Sequence, residues 1–370
     1  MKKHAWAVLL AVALSFGGTG YAAEHGSLVF PGCLAKTTTV SAWTNRYLVK
    51  VYAVLDPNKP RESMGTGSGQ LIRSASGIVR ILTNAHVVGT RSMHVWVHFD
   101  GQAFAQKVRV IGVDTTVDLA LLEAPNPLPV SVEPIELASE GARVGDCIFA
   151  AGYPDGVRQI SAGVVNSVSS PASRGFVDLF FTHQAPIMPG SSGGALVRLT
   201  ARGGFELLGV NTRVAGQSSE TMQVFGNVSL AVHAHIIRQT LRLLETQTRV
   251  EHAFAGFIVM DVADINPFWY VSVLGREYPP VQPGSTVVLV MNNSPAAAQS
   301  VMVGDIIRAF QVWADGRWFA LPFARAKALT EEIFFNVPPG TRVRITVERG
   351  AQTFTREFVL GTFPMPGSRP

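Results

Sequence analysis

Between Tyr47 and Ala234 the apolar segments are short, of strand length, and stop at Gly, Pro, Asp or Ser. Examples are Tyr47–Leu55, Gly69–Ile72, Val79–Leu82, His94–Phe99, Leu119–Glu123, Cys147–Ala151, Phe176–Phe181, Ala195–Leu199 and Leu207–Asn211, many of them rich in Val, Ile and Phe. That punctuation predicts an all-β barrel. The 35 glycines and 22 prolines of the chain, without a collagen-like period, fit many turns between short strands. The stretch Val232–Thr246 then places Ile236, Ile237, Thr240, Leu241 and Leu244 at helical spacing, which predicts a helix closing this first unit.

After Arg249 the pattern changes. Ala253–Val262, Thr286–Met291, Asp305–Val312 and Arg342–Glu348 read as strands. Ser294–Ser300 opens with a capping serine and a proline at the first helical position, and Ala324–Phe335 is a second helical candidate. A smaller α/β module of about 110 residues therefore follows the barrel unit, and 370 residues suit two domains. With 47% apolar and 15% charged residues the chain is not of the disordered class.

The N-terminus reads as an address. Lys2 and Lys3 precede an apolar run from Ala5 to Phe16 and the small residues up to Ala22 and Ala23, the order of a secretory signal peptide cut after Ala22 or Ala23. No apolar run reaches the roughly 18 residues of a membrane span. The net charge of +5 falls to +3 (29 basic against 26 acidic) without the two leader lysines, and the basic residues are scattered, so no nucleic-acid footprint is expected. Two cysteines cannot build an all-cysteine zinc site; in an exported chain Cys33 and Cys147 either pair or stand as separate thiols.

Three short motifs carry chemistry. Thr83-Asn84-Ala85-His86 places a histidine, suited to proton transfer near neutrality, directly after an apolar strand. In Asp114–Leu122, Asp118 opens an apolar strand; a carboxylate buried at its mouth requires a donor, which an imidazole N–H supplies. Asp114 is the competing carboxylate, in a looser turn where it suits a cap. Pro189–Gly194 sets Ser192 among glycines ahead of the strand Ala195–Leu199, so the backbone can turn sharply, present the hydroxyl, and aim the Gly190 and Ser192 amides at an oxyanion. His86, Asp118 and Ser192 follow at gaps of 32 and 74 residues, and their side-chain types suit general base, orienting carboxylate and nucleophile.

These motifs, with Gly67-Ser68-Gly69 and Leu208-Gly209-Val210-Asn211, resemble the HtrA-type (DegP/DegS-like) chymotrypsin-fold serine proteases. Ser294-Pro295-Ala296-Ala297, Val303–Ile307 and Thr341–Glu348 resemble the PDZ pattern. The likeness runs over about residues 40–360. It implies a mainly β fold: a signal peptide over 1–22, an N-terminal segment over 23–45, a chymotrypsin-like double β-barrel protease domain over 46–248, a smaller α/β PDZ domain over 252–360, and a tail over 361–370. It further implies an endopeptidase using His86, Asp118 and Ser192, with Gly190 and Ser192 as oxyanion donors and no metal or organic cofactor. The substrate pocket would lie at Pro186, Asn227, Val228, Ser229 and Leu230; Pro186 stands where trypsin-like relatives carry Asp, so small or medium apolar side chains are expected before the cut. C-terminal peptides would add to the sheet near Gly256, Phe257, Ile258 and Val259, although the long stretch Asp261–Ser285 can remodel that groove. The resemblance also implies unfolded or damaged exported proteins as substrates, a periplasmic location if the cell has an outer membrane, and a homotrimer built through the N-terminal segment, with Trp43 and Tyr47 as candidate contacts.

The chain departs from the family pattern in several places. Ser191 replaces the usual Asn before the nucleophile and cannot make the ion pair by which digestive relatives activate; Ala195 replaces a proline; only Asp56–Thr66 occupies the loop after the first strand. Two other classes of function compete on these departures: a peptide-binding chaperone or stress sensor with a weakly active site, and an envelope scaffold with a vestigial one.

Overall fold

The computed structural model describes Cys33, residues 36–56, Asn58, and residues 64–89, 94–129, 132–169, 177–200, 203–214, 228–265, 267–275, 284–323 and 325–363. The leader expected over 1–22 and the pocket residue Asn227 lie outside these.

Helix α1 (Thr37–Thr44) precedes seven strands, β1 (Leu48–Val54), β2 (Met64–Arg73), β3 (Val79–Thr83), β4 (His94–His98), β5 (Gln106–Val108), β6 (Val110–Asp114) and β7 (Leu119–Glu123), with the single-turn helix α2 (Ala85–Val88) after β3. They form one antiparallel sheet in the order β5-β4-β1-β2-β3-β7-β6. The path starts on β5 and ends on β6, which only Arg109 separates, so the sheet returns on itself as a six-strand barrel with one strand broken. Six more strands close a second barrel, β10-β13-β12-β11-β8-β9: β8 (Cys147–Gly152), β9 (Gln159–Ser167), β10 (Phe180–His183), β11 (Ala195–Leu199), β12 (Phe205–Val214) and β13 (Ser229–His233). The sequence predicts most of these strands to within a few residues. It misses β5, β6, β9, whose Gln159–Ser167 mixes polar and small apolar residues, and β13, whose Val232 and His233 it gives to the following helix.

Both barrels read as near-continuous apolar strands because both faces are covered. Four of five residues in β7 are buried, one face inside the barrel and the other under helix α3 (Ala234–Thr246). α3 buries Ile236, Ile237, Thr240, Leu241 and Leu244, the stripe its spacing predicts. The segment before β1 is tied down at several points: Cys33 forms a disulfide with Cys147 of β8, Arg158 donates to the Ser41 carbonyl at 2.7 Å, and Trp43 packs on Tyr47 and Phe205 at ring distances of 5.0 and 4.9 Å. Tyr47 is 1% exposed and spends its ring inside its own chain.

A smaller α/β module follows. After the short strand β14 (Ala253–Phe254) its sheet runs β15 (Phe257–Asp261), β16 (Ser285–Val290), β17 (Ile306–Ala314), β19 (Arg342–Arg349) and β20 (Gln352–Val359), with β18 (Arg317–Ala320) on β17 and β21 (Gly361–Thr362) on β14. Helix α4 (Pro267–Leu274) lies in the long stretch after β15. Helix α5 (Pro295–Ala298) is capped as its sequence predicts, Ser294 Oγ accepting the Ala297 amide at 3.2 Å. Helix α6 (Ala326–Asn336) packs against β15, and Phe334 and Phe335 on it join the apolar core of the barrels.

Candidate active site

The His86 side chain is positioned from both directions along the chain. β3 delivers Asn84, whose side-chain amide donates to the Asp118 carbonyl at 2.8 Å, and α2 carries His86 itself. Asp118 stands just before β7 with φ +64, a left-handed backbone that is uncommon for a residue with a side chain. That turn brings its carboxylate under the imidazole: Nδ1 lies 2.8 Å from Oδ2 and 3.0 Å from Oδ1, and the His86 amide also donates to Oδ1 at 3.0 Å. Thr212 Oγ1 donates to Oδ2 at 2.5 Å. The carboxylate side chain is 14% exposed and the imidazole 49%, so the pair opens to the cleft on the histidine side.

Ser192 is carried by a turn that the rest of the fold grips tightly. Met188 and Ser191 close it, the Ser191 amide donating to the Met188 carbonyl at 2.8 Å and the Met188 amide to Ser191 Oγ at 3.2 Å. Ser191, the departure from Asn, is therefore the hydroxyl that locks this turn. Ser68, fully buried in β2, grips both flanks: its hydroxyl donates to the Gly190 carbonyl at 2.7 Å, and its amide to the Ser192 carbonyl at 2.8 Å. Gly193 has φ +80, and a Cβ there would lie 2.2 Å from the Ser68 carbonyl oxygen, so only glycine fits. Among the described residues the Gly190 and Ser192 amides have no acceptor.

Ser192 Oγ donates to the Thr212 carbonyl at 3.0 Å. Among the described residues it makes no hydrogen bond to His86, though both side chains line the same cleft of about 580 Å³. Thr212 thus touches both Ser192 and Asp118. Sequence reading stops one residue short of it, at Leu208–Asn211; its only local signal is the strand running on toward the serine turn.

Asp114 is fully buried. Its Oδ1 accepts the amides of Thr116 and Val117 at 3.0 Å each, the cap its sequence position suggests. Its Oδ2 lies 2.7 Å from Nε2 of His252, also fully buried, whose Nδ1 lies 2.9 Å from the Phe334 carbonyl while its ring stacks on Phe334 at 3.7 Å. The loop bearing Asp118 is thereby tied to α6 in the second module.

The other expected residues are placed as follows. The apolar lining of the cleft comes from Ile187, Met188, Pro189 and Val214. Pro186 is exposed, its carbonyl accepting from Ser161 Oγ at 2.5 Å. Ser229 and Leu230 are buried in β13, with Ser229 Oγ donating to the Ala185 carbonyl, and Val228 is half-buried ahead of them. His183 in β10 is fully buried, and burial pushes its pKa down to about 4. Gly256 has φ +96 and leads into Phe257, Ile258 and Val259 on β15, an edge strand. A cavity of about 30 Å³ lies between β15 and α6, lined by Phe257, Val259, Leu329 and Ile333, and Asp261 Oδ1 accepts the Ala326 amide at 2.6 Å. Among the described residues no group of three or more His, Cys, Asp or Glu is placed to hold a metal, and no helix is long and apolar enough to cross a membrane.

Residues 67–207 match the model of the trypsin-like peptidase domain. The chain is 28% identical over 303 residues to the periplasmic serine endoprotease DegP of Salmonella typhimurium (80% of this chain, 57% of the relative). It is 28% identical over 311 residues to the periplasmic pH-dependent serine endoprotease DegQ of Escherichia coli (83% and 62%). It is 30% identical over 266 residues to the putative serine protease HhoA of Synechocystis (68% and 62%). The chain thus spans about three-fifths of the length of these relatives. Its fold is similar to that of the HtrA-type protease AlgW with tripeptide (TM-score 0.64, 21% identity, 90% of this chain and 98% of the other) and of a serine endoprotease from Yersinia pestis (0.56, 20%, 88% and 98%). The chain carries a trypsin-like peptidase domain over residues 67–207, has a mainly β, chymotrypsin-like fold, and is similar to HtrA-type proteases.

Proposed function

We propose that this chain is an exported serine endopeptidase that hydrolyses peptide bonds of unfolded or damaged proteins. The observation that carries the reading is the His86–Asp118 pair, at 2.8 and 3.0 Å, in one cleft with Ser192 and beside two amides without acceptors. With Asp118 accepting at Nδ1, the lone pair of His86 resides on Nε2, on the far side of the ring. When Ser192 Oγ turns from the Thr212 carbonyl to that nitrogen, it gives up its proton and attacks a peptide carbonyl. Asp118 keeps the tautomer and stabilises the imidazolium. The Gly190 and Ser192 amides hold the oxyanion; removing one such donor costs about 10²–10³ in kcat. The imidazolium protonates the leaving amine, and water, with His86 again as base, releases the acyl group. The apolar lining from Ile187, Met188 and Val214 suits small or medium apolar side chains before the cut. The periplasmic relatives support an exported, periplasmic location, and a homotrimer with peptide binding at a PDZ-like second module belongs to the same proposal.

A fluorophosphonate probe tests the reading. Wild type is expected to label and to degrade casein, and Ser192→Ala and His86→Ala to do neither. A folded wild type that never labels, with or without unfolded protein, sinks it. One observation favours a second reading, a peptide-binding chaperone whose site is rarely assembled: Ser192 Oγ rests on the Thr212 carbonyl. Labelling that appears only when unfolded protein is added would place the chain between the two.

A further inference from the structure

Among the described residues, apart from the His86–Asp118 pair, one charged side chain lines the cleft, and it is Arg213. It follows Thr212 directly, so it sits one residue from the carbonyl that Ser192 bonds. Its guanidinium lies over the ring of buried Phe180 at 5.6 Å. A contact with an uncharged ring leaves the five N–H donors of the guanidinium uncommitted. Among the described residues Arg213 has no carboxylate partner and no hydrogen bond, whereas Arg198, on the neighbouring strand, pairs with both Asp146 and Glu206. The carboxylate in the cleft cannot serve Arg213, because Asp118 is already shared by His86 and Thr212.

The strand around Arg213 offers a track for a substrate. β12 pairs with β11 only as far as Val210 opposite Ala195, and the Asn211 amide then bonds the Gly194 carbonyl. Beyond that point, among the described residues, Thr212–Val214 is paired only with β13, and its other edge is engaged only by the Ser192 hydroxyl at the Thr212 carbonyl. An extended peptide adding to that edge would pass Arg213 within a few residues of the bond being cut.

We infer that Arg213 selects substrates bearing a carboxylate side chain close to the scissile bond, and so directs the cleft to acidic segments of unfolded protein. This rests on the proteolytic reading of the same cleft. Arg213 is a specificity residue and takes no part in the chemical step.

The test uses acetylated, amidated peptides, so that the side chain supplies the only carboxylate. Pairs differ by Glu or Gln at each of the three positions on either side of the cut, and the readout is the Glu:Gln ratio of kcat/KM. Wild type is expected to favour Glu about two- to fivefold at one position, and less at 1 M salt, where charges are screened. Arg213→Met keeps the cover over Phe180 without the charge, and its ratio should fall to about one. Arg213→Glu should drive the ratio below one. A wild-type ratio of one at every position, or a ratio that survives in Arg213→Met, overturns the inference while leaving the protease reading intact. If Ser192 neither labels nor turns over peptide, the protease reading fails, and the same pairs are titrated for binding: a Glu preference lost in Arg213→Met upholds recognition by Arg213, and equal binding overturns it.

Discussion

Thr212 holds the serine through its carbonyl and the aspartate through its hydroxyl, at 3.0 and 2.5 Å. Only the second contact depends on the side chain. Thr212→Val keeps the shape but leaves Asp118 with one donor fewer in a part-buried place, a loss of about 1–3 kcal/mol. Because that carboxylate supports the imidazolium only once it forms, the loss should fall on kcat, about tenfold, with KM little changed and Thr212→Ser close to wild type. Equal kcat in Thr212→Val and wild type would remove the hydroxyl from the mechanism. Asp114 calls for a different expectation from a simple cap. Both its oxygens are used and it faces His252 with neither group exposed to solvent. Asp114→Ala strands that imidazole and should cost about 3–5 kcal/mol in urea unfolding, the range for breaking a buried pair. A loss within 1 kcal/mol would mean that the pair is not formed in solution.

At the scale of elements, the segment before β1 is where the chain adds a covalent tie. Cys33 and Cys147 are 114 residues apart, and closing a loop of that length in the unfolded chain corresponds to about 4–5 kcal/mol in the chain-entropy model. Cys33→Ser should therefore lower the melting midpoint by several degrees, and reductant should lower wild type to the same value while leaving the variant unmoved. An unchanged midpoint in both would show the bridge to be absent. Much of the barrel architecture is legible in the sequence, since strands buried on both faces leave long apolar words with glycine between them: Leu119–Glu123 and Ala195–Leu199 emerge at the observed bounds. β9 is not, because two-thirds of Gln159–Ser167 is polar or small and its partners supply the burial. The three chemical residues are legible because each sits at a strand end in a short motif. Their supports are not: Ser68 reaches Gly190 across 122 residues and Asp114 reaches His252 across 138, and no local pattern encodes a contact between such distant positions.

Across the whole molecule each module keeps its own apolar core, and α6 joins the two. Phe334 and Phe335 of α6 enter the core of the barrels, and His252 links that helix to the loop before Asp118. The same contact face carries histidines: His233 and His235 lie 4.9 Å apart, with Lys327 and Glu331 of α6 and Asp178 beside them. Burial, first of all, pushes His233 down to about 3 and His235 to about 4, and buried His183 in the next strand to about 4. An unfolded histidine takes its proton near 6.5. Between pH 6.5 and about 4, then, the unfolded chain binds protons that the folded chain refuses. The stability held in these neutral rings is complete above pH 6.5 and is lost as the pH falls toward 4. At about 1.4 kcal/mol per pKa unit, fully buried His183 alone accounts for roughly 3 kcal/mol of that loss. In a Ser192→Ala background, which prevents self-cleavage, the unfolding free energy should fall steeply from pH 6.5 to 4, and His183→Gln should flatten the slope even if it lowers the starting stability. A slope identical in the two proteins would mean that His183 binds its proton equally in the folded and unfolded chain, and its burial as a neutral ring would have to be abandoned.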